Sequence, residues 1–167
     1  CIVLGDDVSP EMPEWDIFLK EIRKEMTSKA GQKCTAIRRI FVPENKMEKV
    51  IKDLSKLLAQ TIIGNPENEK GRMGALAGKL QRQELIEQVR KLSASSQIIY
   101  GSLDNVELLD ADAAKGSFVG PVVLKNEKPF DSEEVHTREA FGPVSTVMPY
   151  KNIVEDIELE RKGKGSL

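Results

Sequence analysis

Thr35-Ala-Ile-Arg-Arg-Ile-Phe-Val42 runs into Pro43 and then into Glu44-Asn-Lys-Met-Glu-Lys-Val-Ile-Lys-Asp-Leu-Ser-Lys-Leu-Leu-Ala-Gln60. The β-branched and aromatic residues of the first part predict a strand over 35–42. Pro43 closes it, because proline has no N–H to give a sheet ladder. In the second part Met47, Val50, Ile51, Leu54, Leu57 and Leu58 recur at three- and four-residue spacing, which predicts a helix over 45–60 with one apolar face. A strand feeding an amphipathic helix is the unit of a layered α/β domain.

The pattern repeats outward from this unit. Before it, Trp15, Phe18, Leu19, Ile22 and Met26 share one face of a helix expected within 13–30. Pro13 suits its first turn, Glu14 and Asp16 its positive end, Lys29 its negative end, and Gly31 its stop. Cys1–Leu4 reads as the tail of a buried strand. After the unit, Gly64-Asn-Pro66 makes a turn and 66–74 a polar loop. A helix is expected over 78–94, from Leu85, Ile86, Val89 and Leu92. Strands are expected at Gln97–Tyr100, at Phe118–Leu124 despite Pro121, and at Val144–Met148. Asn152–Arg161 closes the series as a short helix. The fold class predicted is α/β, in three layers.

Composition narrows the function. The 167 residues are 40% hydrophobic and 31% charged, as in a folded globular chain. The 25 basic and 27 acidic residues leave a net charge of −2, without the basic excess that a dedicated nucleic-acid binder needs. The longest uncharged run, Leu92–Leu103, falls far short of the roughly 20 apolar residues of a bilayer-spanning helix. Cys1 and Cys34 make no disulfide framework and read as reduced thiols of a cytoplasmic protein. With His136 the one histidine, no zinc site of several cysteines and histidines is expected. No signal peptide is recognisable at the start. Both ends, Cys1–Leu4 and Lys162-Gly-Lys-Gly-Ser-Leu167, suggest a piece of a longer polypeptide.

Three places carry chemistry-bearing residues. Cys34 follows Gly31-Gln32 at a helix-to-strand junction, where a side chain reaches a cleft and backbone N–H groups can point at a reacting atom. A thiolate there is a nucleophile. The plainer reading is a small buried hydrophobe. Glu139 and Phe141 stand two apart before the turn Gly142-Pro143. In an extended segment they point the same way. A carboxylate can hold a pair of ribose hydroxyls and a ring can pack on a flat heteroaromatic. A surface acid beside a core phenylalanine fits as well. His136 could pair with Cys34 in a hydrolase, or simply be a hydrogen-bonded structural histidine. Gly71-Arg-Met-Gly74 lacks the ending and the preceding strand of a phosphate loop.

Taken together, these segments resemble the aldehyde dehydrogenase superfamily. Gly31-Gln-Lys-Cys34 resembles its Gly-Gln-x-Cys segment, and Glu139-Ala-Phe-Gly-Pro-Val144 its Glu-x-Phe-Gly-Pro-Val segment. Their order and separation fit too. Gly64-Asn-Pro66, Met73-Gly74, and Gly116-Ser-Phe118 with Pro121 resemble lesser family stretches, so the likeness spans the chain. Lys29–Arg39 and His136–Thr146 resemble, more closely, the dehydrogenase parts of bifunctional phenylacetic acid degradation proteins, a subfamily that oxidises a CoA-linked semialdehyde.

The resemblance implies a three-layer α/β/α catalytic domain of this type, in part. It implies Cys34 as the thiol that adds to an aldehyde, and Glu139 and Phe141 as the residues holding the nicotinamide ribose and the nicotinamide of NAD or NADP. It further implies a homo-oligomeric complete enzyme acting on an aldehyde, a CoA thioester among the candidates, with no nucleic acid or membrane partner. The family's nucleotide-binding domain, general-base glutamate and oxyanion asparagine precede the cysteine, and its oligomerisation strands follow. Residues 1–167 are therefore expected to be a cysteine-bearing fragment that is inactive alone. The rival readings are a CoA-acylating dehydrogenase, a Cys–His hydrolase, and a non-catalytic interaction domain.

Overall fold

The computed structural model describes residues 1–104 and 106–165. The reading of the chain end at Ser166-Leu167 lies outside the described residues. Among the described residues five strands form one sheet: β1 (Ile2–Val3), β2 (Arg39–Pro43), β3 (Gln97–Tyr100), β4 (Val122–Lys125) and β5 (Val144–Tyr150). Their spatial order is β1-β2-β5-β4-β3. The first four in that order run parallel, and β3 runs antiparallel to β4 along one edge.

The α-helices of the described residues cover the sheet: α1 (Pro13–Thr27), α2 (Met47–Leu58), α3 (Lys79–Leu92), the single turn α4 (Glu134–Thr137) and α5 (Ile153–Arg161). The period-2 alternation of the strands sorts them into layers. Ile40, Val42, Val123 and Val147 face α1 and α2, against Trp15, Phe18, Ile22, Val50 and Leu54. Phe41, Val122, Leu124, Val144 and Met148 face the other way, against Leu85, Val89 and Leu92 of α3, Val135 of α4 and Leu159 of α5. This is the three-layer α/β arrangement expected.

Several boundaries move. The strand expected over 35–42 is confined to Arg39–Pro43, because Cys34 and Thr35 lie in a turn and Ala36–Arg38 in irregular backbone. The strand expected over 118–124 begins only at Val122. Pro121 has no N–H for a ladder, and Gly101 presses so closely on it that an added Cβ would lie 1.9 Å from the Pro121 carbonyl oxygen. The helix expected over 13–30 ends at Thr27 and passes into a 3₁₀ turn over Ser28–Gly31. The 45–60 helix opens with a 3₁₀ turn over Glu44–Lys46. Ile51, Leu57 and Ile86 are half-buried at the margins of their faces. Ile2 and Val3 form a half-buried edge strand, with Leu4 the buried residue behind them.

The loop 66–74 is more ordered than its polarity suggests. Ile63 bridges Met73, Gly64 bridges Leu109, and Met73 and Leu76 are buried. Among the described residues no helix is long and apolar enough to cross a membrane.

Candidate active site

The segments carrying Cys34 and Glu139–Pro143 lead directly into two adjacent parallel strands, β2 and β5, so both lie at the N-terminal end of the sheet. The segment Phe118–Pro121 leads into the next parallel strand, β4, at the same end. Open α/β sheets usually bind ligands at the opposite, carboxyl end.

Three hydrogen bonds to backbone carbonyls, one from an N–H and two from side chains, hold the first two segments and their strands together. The Thr146 N–H donates to the Arg38 carbonyl at 2.8 Å. Ser145 Oγ donates to the Ile37 carbonyl at 2.6 Å. Arg38 reaches across to the Arg138 carbonyl at 2.9 Å. Gly31 completes the join. Its φ is +70°, and an added Cβ would stand 2.3 Å from the Gly142 carbonyl oxygen and 2.7 Å from the Pro143 nitrogen. Only glycine allows both that backbone conformation and that approach.

Cys34 is exposed, and its thiol is free. It sits in a turn where the Lys33 N–H donates to the Gly31 carbonyl and the Ala36 N–H to the Lys33 carbonyl. The Cys34 N–H has no backbone acceptor among the described residues, so it is free to donate to an oxygen placed beside the thiol. Glu139 and Phe141 are exposed on either side of buried Ala140, the alternation of an extended segment. Phe141 lines an open pocket of about 680 Å³ together with Gln32, Gly74, Ala75, Ala77 and Gln81. Gln32 Oε1 accepts the Ala77 N–H at 2.8 Å, tying the cysteine turn to the loop that forms the pocket's far wall.

His136 is not part of this arrangement. It is 1% exposed. Its Nε2 lies 2.8 Å from the Pro129 carbonyl, and its Nδ1 lies 3.3 Å from an Arg39 nitrogen. The network assigns the proton to Nε2, which donates to Pro129, and leaves Nδ1 to accept from Arg39. Burial, followed by the nearby Arg39 and Lys162 cations, holds the imidazole below its usual 6.5 against the pull of the Pro129 bond. Both ring nitrogens are used structurally, so the Cys–His pairing finds no support. Gly71–Gly74 is no phosphate loop either, since Met73 is buried between its glycines. Among the described residues no group of three potential ligands gathers as for a metal.

Two contributors left no mark in the sequence. The Gln32–Ala77 tie joins residues 45 apart in the chain. The ion pair between Lys33 Nζ and Glu25 Oε2, at 2.7 Å, crosses the end of α1, where helical spacing no longer applies.

The family model described as "Aldehyde dehydrogenase family" matches residues 11–162. Over 165 residues the chain is 41% identical to 3,4-dehydroadipyl-CoA semialdehyde dehydrogenase of Aromatoleum evansii, covering 99% of this chain and 32% of that protein. It is 29% identical over 164 residues to an aldehyde dehydrogenase, named as putative, of Staphylococcus haemolyticus, covering 95% and 33% respectively. The chain thus spans about a third of the length of the relatives it matches. Among solved structures, a point mutant of betaine aldehyde dehydrogenase from Staphylococcus aureus, complexed with NAD+, superposes with a TM-score of 0.81. The identity is 22%, with 96% of this chain and 31% of that one covered. A mutant aldehyde dehydrogenase of Pseudomonas syringae, complexed with NAD+ and octanal, gives 0.79 at 19% identity, covering 96% and 31%. These likenesses concern the fold.

Proposed function

The chain belongs to the aldehyde dehydrogenase family, and from that premise we propose that it is the cysteine-bearing part of an NAD(P)-dependent enzyme that oxidises a CoA-linked semialdehyde to the acid. The observation that carries this reading is the 41% identity, over 99% of the chain, to a dehydrogenase of such a semialdehyde.

On this reading the Cys34 thiolate adds to the aldehyde carbon and forms a hemithioacetal. The Cys34 N–H donates to the oxygen that gains charge in that addition. Glu139 would hold the hydroxyls of the nicotinamide ribose, and Phe141 would pack beside the nicotinamide. The exposure of both, and the open pocket beside Phe141, fit that group. A bound nicotinamide would supply the two-electron oxidant that the former aldehyde carbon requires. Cys34 then holds the acyl group as a thioester until water releases the acid and the thiol is restored. Gly31 and Gln32 keep the turn in place against Gly142 and Ala77, because an error of about 1 Å in placement costs on the order of a hundredfold in rate. We propose further that residues 1–167 alone form no NAD(P)H, that the complete enzyme is a homo-oligomer, and that it works in the cytoplasm.

The test uses the longer protein that carries this chain, with a CoA-linked semialdehyde and NAD+ or NADP+. Reduced cofactor and free acid are expected. Cys34→Ala should lower kcat by roughly 10⁴-fold or more. Glu139→Ala should raise the KM for the cofactor about tenfold or more, the scale of lost hydrogen bonds to a charged group. Cofactor reduction unimpaired in Cys34→Ala would refute the mechanism. Acyl-CoA as the product, formed only with free CoA, would assign the enzyme to the acylating branch.

A further inference from the structure

The backbone just before the cysteine is strained. Lys29, Ala30 and Gly31 have φ of +52°, +51° and +70°, three left-handed residues in succession, of which only one is glycine. Non-glycine residues pay a steric cost there and persist only where the surroundings hold them. Two ties already described hold the C-terminal end of this run: Gly31 against Gly142, and Gln32 on Ala77. The third spans the strained run itself. Glu25 lies two residues before the end of α1 and Lys33 immediately before Cys34, and their side chains meet at 2.7 Å. The side chains are only 18% and 19% exposed. Other lysine pairs on the helices expose at least one partner far more: Lys20–Asp16 is 67% and 68% exposed, and Lys49 is 50% exposed in its pair with Asp53. Open pairs are worth little, whereas a partly buried pair is less screened and leaves an uncompensated charge when broken.

We propose that the Glu25–Lys33 ion pair is the clamp that keeps the left-handed turn closed and so positions the Cys34 thiol. Glu25 and Lys33 are then positioning residues. Their effect on turnover rests on the reading of Cys34 as the nucleophile, but their effect on the thiol does not.

The experiment measures the rate at which iodoacetamide alkylates Cys34, followed by mass spectrometry of the Cys34 peptide in the longer protein. The variants are Glu25→Gln, Lys33→Met, Lys33→Arg and the exchanged pair Glu25→Lys with Lys33→Glu. If the pair acted only through charge, removing an anion and removing a cation would move the thiolate fraction, and the rate, in opposite directions. A clamp moves both single variants the same way, because either one opens the turn. We expect Glu25→Gln and Lys33→Met each to speed alkylation about threefold or more, while their kcat falls by a similar factor or more as the thiol leaves its productive position. Lys33→Arg and the exchanged pair should stay within about twofold of the parent, which also guards against a single variant that fails to fold. Any other pattern of alkylation rates overturns the clamp. If alkylation follows the expected pattern while turnover is indifferent to Cys34→Ala, the clamp stands and the nucleophile assignment falls.

Discussion

His136 and Asp156 are buried side chains with opposite responses to acid. His136 is held below 6.5 by burial first, so the folded state takes up its proton less readily than the unfolded chain. Its contribution is complete above about 6.5 and is lost as the pH falls below that value. Asp156 is 3% exposed, and its Oδ1 has no partner among the described residues. Burial, helped by the Glu160 carboxylate, raises it from 3.8 to about 6. The folded state therefore binds that proton more readily, and stability is lost as the pH rises from about 4 to about 6. We predict that Asp156→Asn removes the second trend. Its stability relative to the parent should climb between pH 4 and 6 and then level off at roughly 1–3 kcal/mol, read from denaturant midpoints. We also expect the His136 ring to titrate by NMR with a midpoint below 6.5. The identities of His136 and Asp156 were plain in the sequence, but their roles were not. Burial decides them, together with Pro129 and Glu160 nearby in the chain and with Arg39, which lies 97 residues from His136.

At the scale of elements, the helices were legible because their apolar residues recur with the helical period. The cysteine junction was legible only as a place. The sequence promised a strand beginning at Thr35, but the chain makes a turn through Cys34 and Thr35 and starts its ladder at Arg39. Propensity favoured extension for Thr35 and Ile37; the packing of Gly31 on Gly142 and the Gln32–Ala77 bond prevailed. Gly31 carries the clearest prediction at this scale. Gly31→Ala adds a Cβ in a left-handed position and places it 2.3 Å from a carbonyl oxygen. We expect a loss of about 2 kcal/mol or more in unfolding experiments, above the usual glycine-to-alanine penalty at positive φ, because backbone must also move.

At the scale of the molecule, two apolar clusters lie on opposite faces of one sheet. Leu54 of α2 belongs to one and Leu85 of α3 to the other. Each is at most 2% exposed, and truncation to alanine should cost roughly 2–5 kcal/mol in either case. The sheet separates them, so the double variant should be additive to within about 0.5 kcal/mol. Their functional effects should differ. Leu85 packs under Gly142, so near that a Cβ there would meet its methyl carbons at 2.8–2.9 Å. On the proposed reading of Glu139 and Phe141, Leu85→Ala should therefore raise the KM for NAD(P) at temperatures where the longer protein stays folded, and Leu54→Ala should not. Steady-state kinetics on the two single variants checks this.

By itself the sequence determined the α/β class, the faces of α1, α2 and α3, and the two segments around Cys34 and Glu139 that resemble the family. Each of these is local: a period, a turn residue, or a short run of fixed order. Only the tertiary structure decided that those segments enter neighbouring parallel strands and meet at Gly31 and Gly142. It also decided that His136 is structural and that Lys33 is tied to Glu25. Those outcomes depend on strand order and on which side chains are removed from water, and both arise from contacts between residues far apart in the chain.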